Sequence, residues 1–462
     1  MPPKGNEARA AALSELAGLM HGLRTDPALK THIEAAAQEN LDDFQRANLR
    51  EIEREWRMAN ALPSALVQRR QLATSKCEHA WRQQRPANDW KGFLENFKEV
   101  LAVGREEAQL LSEQTGLRPY DALMDRYEPG MTCETVSRVF GEVRQWLPDL
   151  IEKVQAKQSQ EAIIEPRGPF AVSAQRALCE KAMRLLGFDF EAGRLDVSAH
   201  PFCGGVPEDV RMTTRFREDE FLVSLMGTIH ETGHGRYEQN LPRNWLGQPV
   251  AEARSMALHE SQSLSFEMQL GSHPGFARQL APLVVQALGD QPAFEPTNLH
   301  RLITRVKPGF IRVDADEVTY PAHIILRYEI ERPLLEGDIE PEEVPDLWNA
   351  KMKELLGLDT TGNFKDGVLQ DVHWPEGLFG YFPCYSLGAM FAAQWFAAMR
   401  RAMPDLDRRI ENGQLQPIFD WLRDHIWSQG SRWTTDELAL RASGEVLNPA
   451  HFKAHLERRY LG

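Results

Sequence analysis

One short run in this chain has residue types and spacing suited to a hydrolytic metal centre: His230-Glu231-Thr232-Gly233-His234. Two histidines four apart on a helix present their rings one turn apart on the same face, where neutral ring nitrogens can converge on one cation. Zinc hydrolysis needs three protein ligands and a position left open for water, whose pKa the metal lowers towards about 7. Glu231, beside a ligand, is placed to reach that water as general base, taking its proton and later delivering it to a leaving amine. The plainer reading is a chance match in a chain with 14 histidines and 67 acidic residues. Against it, both histidines extend a row that steps by four through Leu222, Met226, His230 and His234.

That row requires a helix, and residues 221–238 supply one. Leu222, Leu225, Met226 and Ile229 recur at i, i+3, i+4 and i+7, and Glu218, Asp219 and Glu220 stand where a first turn favours acids. Both histidines are expected on its buried stripe. A third ligand must come from elsewhere, and a second expected helix over 249–270 offers Glu252, Glu260 and Glu267. Glu260 shares a stripe with Ala253, Met256 and Leu264, so it points inward, where an unpaired carboxylate is costly. Glu267 faces nearly the same way about 10 Å further along the axis, and periodicity alone leaves it open. Glu252, just after Pro249, reads as a first-turn acid that favours the helix dipole.

Around these segments the chain reads as mainly α. Residues 6–165 are rich in Ala, Glu, Gln, Arg and Leu at helical spacing, with breaks at Asp26-Pro27, Leu62-Pro63, Gly116 to Pro119 and Glu128-Pro129-Gly130. The stretch 190–217 differs: Leu195 to Ser198 and Arg211 to Phe216 hold β-formers, with Pro201, Gly204, Gly205 and Pro207 between, which predicts a short hairpin. The expected organisation is one metallopeptidase domain over 1–462, with a long-helix lobe over 1–190 and a catalytic lobe over 191–462.

Composition narrows the partners. A net charge of -14 leaves no positive field to hold a phosphate backbone, so neither nucleic acid nor an anionic membrane is expected. No run of about 18 uncharged apolar residues occurs, and the N-terminus lacks the apolar stretch of a signal peptide, which points to the cytoplasm. The five cysteines, Cys77, Cys133, Cys179, Cys203 and Cys384, are scattered and form no C-x-x-C pair, so they read as ordinary thiols.

Several separated motifs resemble those of the carboxypeptidase Taq family of metallocarboxypeptidases. His200-Pro201-Phe202 is similar to its H-P-F, and Asp209 to Thr213 to its D-x-R-x-T. His230 to His234 matches its H-E-x-x-H, and His259-Glu260-Ser261-Gln262 its H-E-S-Q. Ile311 to Asp316 resembles I-R-x-x-A-D, and Gly367 to Trp374 resembles G-x-x-Q-D-x-H-W. The resemblance is strong over 195–395 and general elsewhere. It implies an all-helical groove enzyme, usually a homodimer, that removes single residues from peptide C-termini; with the residue reading, it makes the expected fold a large two-lobed helical groove with one small β-sheet near the active site. It also favours Glu260 over Glu267 as third ligand to one zinc ion per chain, which cobalt can replace in vitro. Cys384 and Ala389 depart from the Thr and Asn expected there, and both ends are short for the family.

An exopeptidase of this kind must grip a free carboxylate, for which a guanidinium is suited. Arg312 is the first candidate and Arg211 the second; the plain alternatives are ion pairs of Arg312 with Asp314 or Asp316 and of Arg211 with Asp209. His373, Tyr381 and Tyr385, in an aromatic stretch broken by Gly and Pro, are candidate oxyanion donors, with packing as the alternative. His200 is a candidate polar contact to substrate, and the 211–216 strand a candidate edge for an extended peptide. The reading is a cytoplasmic zinc metallocarboxypeptidase acting on peptides with a free C-terminus. Its rivals are a metallo-endopeptidase or dipeptidyl carboxypeptidase, and a non-catalytic helical peptide-binding protein with structural zinc. The last is disfavoured because a structural site would require no base such as Glu231.

Overall fold

The computed structural model describes residues 5–198 and 201–462. Its helices begin with α1 (Asn6–Arg24), α2 (Pro27–Ala36), α3 (Asp43–Ala61), α4 (Ser64–Gln84), α5 (Trp90–Thr115), α6 (Pro119–Met124), α7 (Cys133–Gln158) and α8 (Val172–Leu185). Three strands follow, β1 (Gly193–Val197), β2 (Phe202–Val206) and β3 (Asp209–Thr214). Then come α9 (Leu222–Gln239), α10 (Met256–Leu264), α11 (Pro274–Leu288), α12 (Pro296–Ile303), α13 (Tyr320–Glu336) and α14 (Val344–Leu356). The last are α15 (Pro383–Ala402), α16 (Leu406–Glu411), α17 (Gln416–His425), α18 (Thr435–Ser443) and α19 (Ala450–Tyr460). The mainly helical expectation holds, with one small sheet.

All four expected breaks fall between helices. Pro27 opens α2, with Asp26 accepting from the N–H of Ala28 at 2.8 Å. Two further breaks occur, one without Pro or Gly between α2 and α3 and one containing Pro86 between α4 and α5. Asp42 and Gln45 form a capping box at the start of α3, and Asp89 caps α5.

The chain folds into two compact units. One takes the chain up to Pro148 together with Pro308–Ala315 and Thr319–Pro383; the other takes Asp149–Lys307, Asp316–Val318 and Cys384–Gly462. These differ from the expected division at about residue 190, because residues 149–190 group with the H-E-x-x-H segment while 319–383 group with the N-terminal helices. Composition tracks local helix content, whereas units are set by contacts far apart in sequence.

In the first unit α4 packs on α1 and α5, and α13 packs on α5, α6 and α14. Phe97 lies between Phe93 and Trp374, with ring centroids 5.2 and 6.0 Å away. The buried Glu331 carboxylate accepts from Tyr120 Oη, Trp374 Nε1 and the Gly380 N–H at 2.7, 2.7 and 2.6 Å. Burial raises it to about 7 despite these donors.

In the second unit the strand order is β1-β3-β2. The expected hairpin is corrected: β1 runs parallel to β3, from Gly193 against Val210 to Val197 against Thr214. The antiparallel partner is β2, with Phe202 opposite Thr213 and Val206 opposite Asp209. The Pro- and Gly-containing stretch read as a turn thus supplies a strand. Because β3 is central and paired on both sides, it offers no edge to a peptide, contrary to expectation. Cys179, Met183, Phe188, Leu195, Val210 and Met212 form the core beneath the sheet, and α9 packs on β3 and β2.

The C-terminal helix is tied to this unit through a buried carboxylate. Glu317 accepts from Nε2 of His455 at 2.5 Å, from Nη1 of Arg459 at 2.8 Å and from Oη of Tyr460 at 3.0 Å. Burial alone would raise the Glu317 carboxyl, but Arg459 and His455 bring it down to about 2. Burial lowers His455 to about 4. Below their unfolded pKa values both groups bind more protons unfolded than folded, so stability falls on acidification. For Glu317 the loss runs from about pH 4.5 down to 2, reaching about 2 kcal/mol by pH 3. Denaturant titrations at pH 7 and pH 3 should show that Glu317→Gln is less stable at pH 7 by about 3–5 kcal/mol, with a shallower acid slope than the parent. An unchanged slope would contradict this assignment.

Cys77, Cys133, Cys179 and Cys384 are buried, Cys203 is half-buried, and none forms a disulfide among the described residues. No described helix is long and apolar enough to cross a membrane.

Candidate metal centre

Helix α9 starts at Leu222, later than its acidic prelude. Glu218, Asp219 and Glu220 precede the helix, and the Glu220 carboxylate accepts the N–H of Leu222 at 2.9 Å. The deeply buried face is the one carrying Leu225, Ile229, Gly233 and Tyr237. The row Leu222, Met226, His230, His234 is half-buried, so the histidines stand beside the buried stripe rather than on it. That offset leaves the rings half-buried while α9 remains anchored.

The expected helix over 249–270 is three pieces. A single 3-10 turn spans Pro249–Ala251, α10 begins after Ser255, whose hydroxyl accepts the Leu258 N–H, and a π-helical segment Ser265–Gly271 follows. Glu252 ends the 3-10 turn in an extended conformation, so its expected role in a helical first turn is not realised.

Close approach of α10 to α9 requires glycine. A Cβ at Gly233 would stand 2.3 Å from the carbonyl oxygen of Gln262 and 2.6 Å from Cα of Ser263. From α15, Gly388 backs Glu260, since a Cβ there would lie 2.7 Å from Cβ of Glu260. The neighbours of Glu260 are held too. Ser261 accepts from the Trp395 indole at 3.0 Å and Gln262 from the Trp427 indole at 2.8 Å.

These supports bring His230, His234 and Glu260 together, with one ligand atom from each lying within 4.8 Å of the others. Oε2 of Glu260 is 3.4 Å from Nε2 of His234 and 3.9 Å from Nε2 of His230. Tetrahedral zinc with bonds of about 2.0–2.1 Å would separate its donors by about 3.4 Å. Glu267, left open by periodicity, does not join them. It bonds Nδ1 of His230 at 2.7 Å, on the side away from Glu260. The π-helical segment between α10 and Gly271 changes the angular step on which the sequence comparison of the two glutamates depended. Sequence reasoning also missed a chain from His234 Nδ1 to His259 Nδ1 at 2.6 Å and from His259 Nε2 to Glu238 Oε1 at 2.7 Å. Glu238 was legible as the next member of the four-residue row.

The charges around the cluster favour a cation. Burial alone would lower His230, but Glu260, Glu267 and Glu231 raise it to about 10. Burial lowers His234 to about 4, which keeps its ring neutral. Burial also raises the Glu231 carboxyl to about 7, opposed by His230 and reinforced by Glu260 and Glu267. Three carboxylates thus surround two imidazoles, and a proton on His230 is a weak substitute for a divalent ion. The buried Oε2 of Glu231 has no hydrogen-bond partner among the described residues. The residues present fit a metal ion.

The remaining described candidates belong to both units. Arg211 is exposed and paired with Asp209 at 2.7 Å. Arg312 is buried and grips a more distant acidic residue, Asp371, with Nε and Nη2 both 2.9 Å from Oδ1. Asp371 also receives Arg327 Nε at 2.7 Å, and although burial would raise it, Arg312 and Arg327 hold its carboxyl far below the usual range. Nδ1 of His373 is 4.0 Å from Asp371, and its ring lies 4.4 Å from Phe382 and 5.5 Å from Tyr381. Arg312, His373 and Tyr381 belong to the first unit; Arg211, Tyr385 and the metal cluster belong to the second. Tyr385 lies on α15, one turn before Gly388. His200 lies outside the described residues.

A mainly helical chain in which an H-E-x-x-H helix meets an inward glutamate on the next helix has the build of a metallopeptidase. Residues 1–460 match the carboxypeptidase Taq (M32) metallopeptidase family, and the chain belongs to it. It is 38% identical over 475 aligned positions to thermostable carboxypeptidase 1 of Thermus thermophilus, covering all of this chain and 92% of that one. It is 34% identical to carboxypeptidase 1 of Bacillus subtilis, covering 99% and 92%. Among solved structures it resembles metallocarboxypeptidase 1 of Trypanosoma cruzi, with TM-score 0.95, 52% identity and coverage of 100% and 94%. The chain is thus a metallocarboxypeptidase, and its family implies a metal ion.

Proposed function

We propose that this chain removes single residues from peptide C-termini, with zinc held by His230, His234 and Glu260 and Glu231 as general base. The observation that carries the reading is the buried, unpartnered Oε2 of Glu231 beside three converging donors. Leaving a buried carboxylate oxygen unsatisfied is costly unless it is reserved for a ligand or a proton. Two imidazoles and one carboxylate are a borderline donor set that suits zinc, with cobalt as a working substitute.

When bound, the metal supplies Lewis acidity, which lowers the pKa of water and polarises a carbonyl. Glu231 takes the proton of the attacking water at Oε2 and passes it to the leaving amine nitrogen. Its raised pKa suits both halves of that exchange near neutral pH. Tyr385, in the unit that carries the ligands and on the helix that backs Glu260, is the preferred donor to the developing oxyanion. The packing of His373 and Tyr381 in an aromatic cluster favours a supporting role for them. Arg312 is the proposed anchor for the substrate's carboxylate.

The ligand assignment is tested by metal content. Glu260→Gln should weaken zinc binding by about 10²-fold or more, because a neutral amide replaces an anionic ligand. Glu267→Gln should cost less, about 10-fold, since its amide oxygen can still accept from His230. If Glu267→Gln strips zinc from the dialysed protein while Glu260→Gln retains it, the third ligand is misassigned.

A further inference from the structure

His234 presents Nε2 to Glu260 at 3.4 Å, so its Nδ1 faces away, and there it meets Nδ1 of His259 at 2.6 Å. Neither two bare lone pairs nor two N–H groups tolerate that distance, so a single proton lies between the rings. Its owner is decided on the far side of His259, where Nε2 stands 2.7 Å from Oε1 of Glu238. A carboxylate only accepts, so His259 donates from Nε2, and its Nδ1 is left to accept across the 2.6 Å contact. His234 must then be the donor through Nδ1–H, and its Nε2 keeps the lone pair a metal needs.

From this geometry we infer that His259 and Glu238 are positioning residues that hold His234 in its ligating tautomer. Glu238 lies one turn after His234 on α9, and His259 directly precedes Glu260 on α10, so the relay also ties together the two helices that bear the cluster. The rings are fixed by packing: His259 lies 4.7 Å from His234 and 5.3 Å from Tyr237, centroid to centroid. His230 obtains the same service in one step from Glu267. A second carboxylate directly on His234 would bring another negative charge towards Glu231 and Glu260. The interposed ring supplies the acceptor without placing a carboxylate there.

The inference rests on the zinc reading above, and the parent protein serves as the control that separates the two. Zinc is titrated into metal-free protein against a chromophoric chelator at one fixed pH near neutrality. His259→Leu and Glu238→Leu should each bind zinc about 10–100-fold more weakly. The double variant should bind no more weakly than His259→Leu alone, because without the ring Glu238 has nothing to relay. His259→Gln should stay within about threefold of the parent, since its carbonyl accepts from His234 while its amide donates to Glu238. Melting temperatures of the metal-free Leu and Gln variants report folding, and if His259→Leu fails to fold, Glu238→Leu and His259→Gln carry the test. A parent that binds zinc tightly while Glu238→Leu matches it, or while His259→Gln falls as far as His259→Leu, overturns the relay. A parent that binds no zinc overturns the zinc reading and the relay with it.

Discussion

Glu231→Gln is expected to retain near-stoichiometric zinc and to lose about 10²-fold or more in kcat. The amide has the shape of the carboxylate, and Glu231 is not one of the three converging donors, so the cluster should survive. What the amide cannot do is take a proton. Glu231 is buried at 6% exposure, which keeps bulk water from substituting for it. Substrate affinity should change little, because the lost interaction belongs to the transition state. Metal analysis beside steady-state kinetics checks both halves. Loss of zinc in Glu231→Gln would show that the residue supports the metal rather than the proton transfer.

Arg312→Ala should lower kcat/KM by about 30-fold or more for free-acid peptides and leave peptides amidated at the C-terminus nearly unchanged. A buried charge-assisted contact is worth about 2–5 kcal/mol when one partner is removed. Asp371 grips Arg312 through both Nε and Nη2, which pre-orients the guanidinium for a planar carboxylate. Asp371 also keeps Arg327 when Arg312 is removed, so the buried carboxylate stays paired and the fold should persist. Zinc content should be normal. Equal losses on both substrates would make Arg312 a structural partner of Asp371, and Arg211→Ala would then be the next test. As matters stand Arg211 is an exposed residue in a surface ion pair, and its removal should change little. The same pair of substrates separates a carboxypeptidase from an endopeptidase, which would accept the amide.

The sequence made the cluster legible because helical spacing is a strong constraint. A step of four fixes His230 and His234 on one row, and the cost of an inward carboxylate narrows the third ligand to Glu260 or Glu267, between which the family resemblance favours Glu260. What periodicity could not show is where a helix changes its step. The π-helical segment after α10 is why Glu267 turns to His230 instead of joining the donors. Strand composition named β1 and β3 but not their pairing, since a parallel partner is set by contacts beyond the local residues. Arg312 illustrates the same limit: one acceptor that grips it, Asp371, is 59 positions away, beyond the reach of local spacing.

The most direct test of the central claim is a mass-resolved assay of the metal-free and zinc-reconstituted protein on a mixed peptide library. The reconstituted protein should shorten free-acid peptides one residue at a time from the C-terminus, and the metal-free protein should leave them intact. Full hydrolysis by protein shown to be free of metal, or products from internal cleavage, would contradict the account.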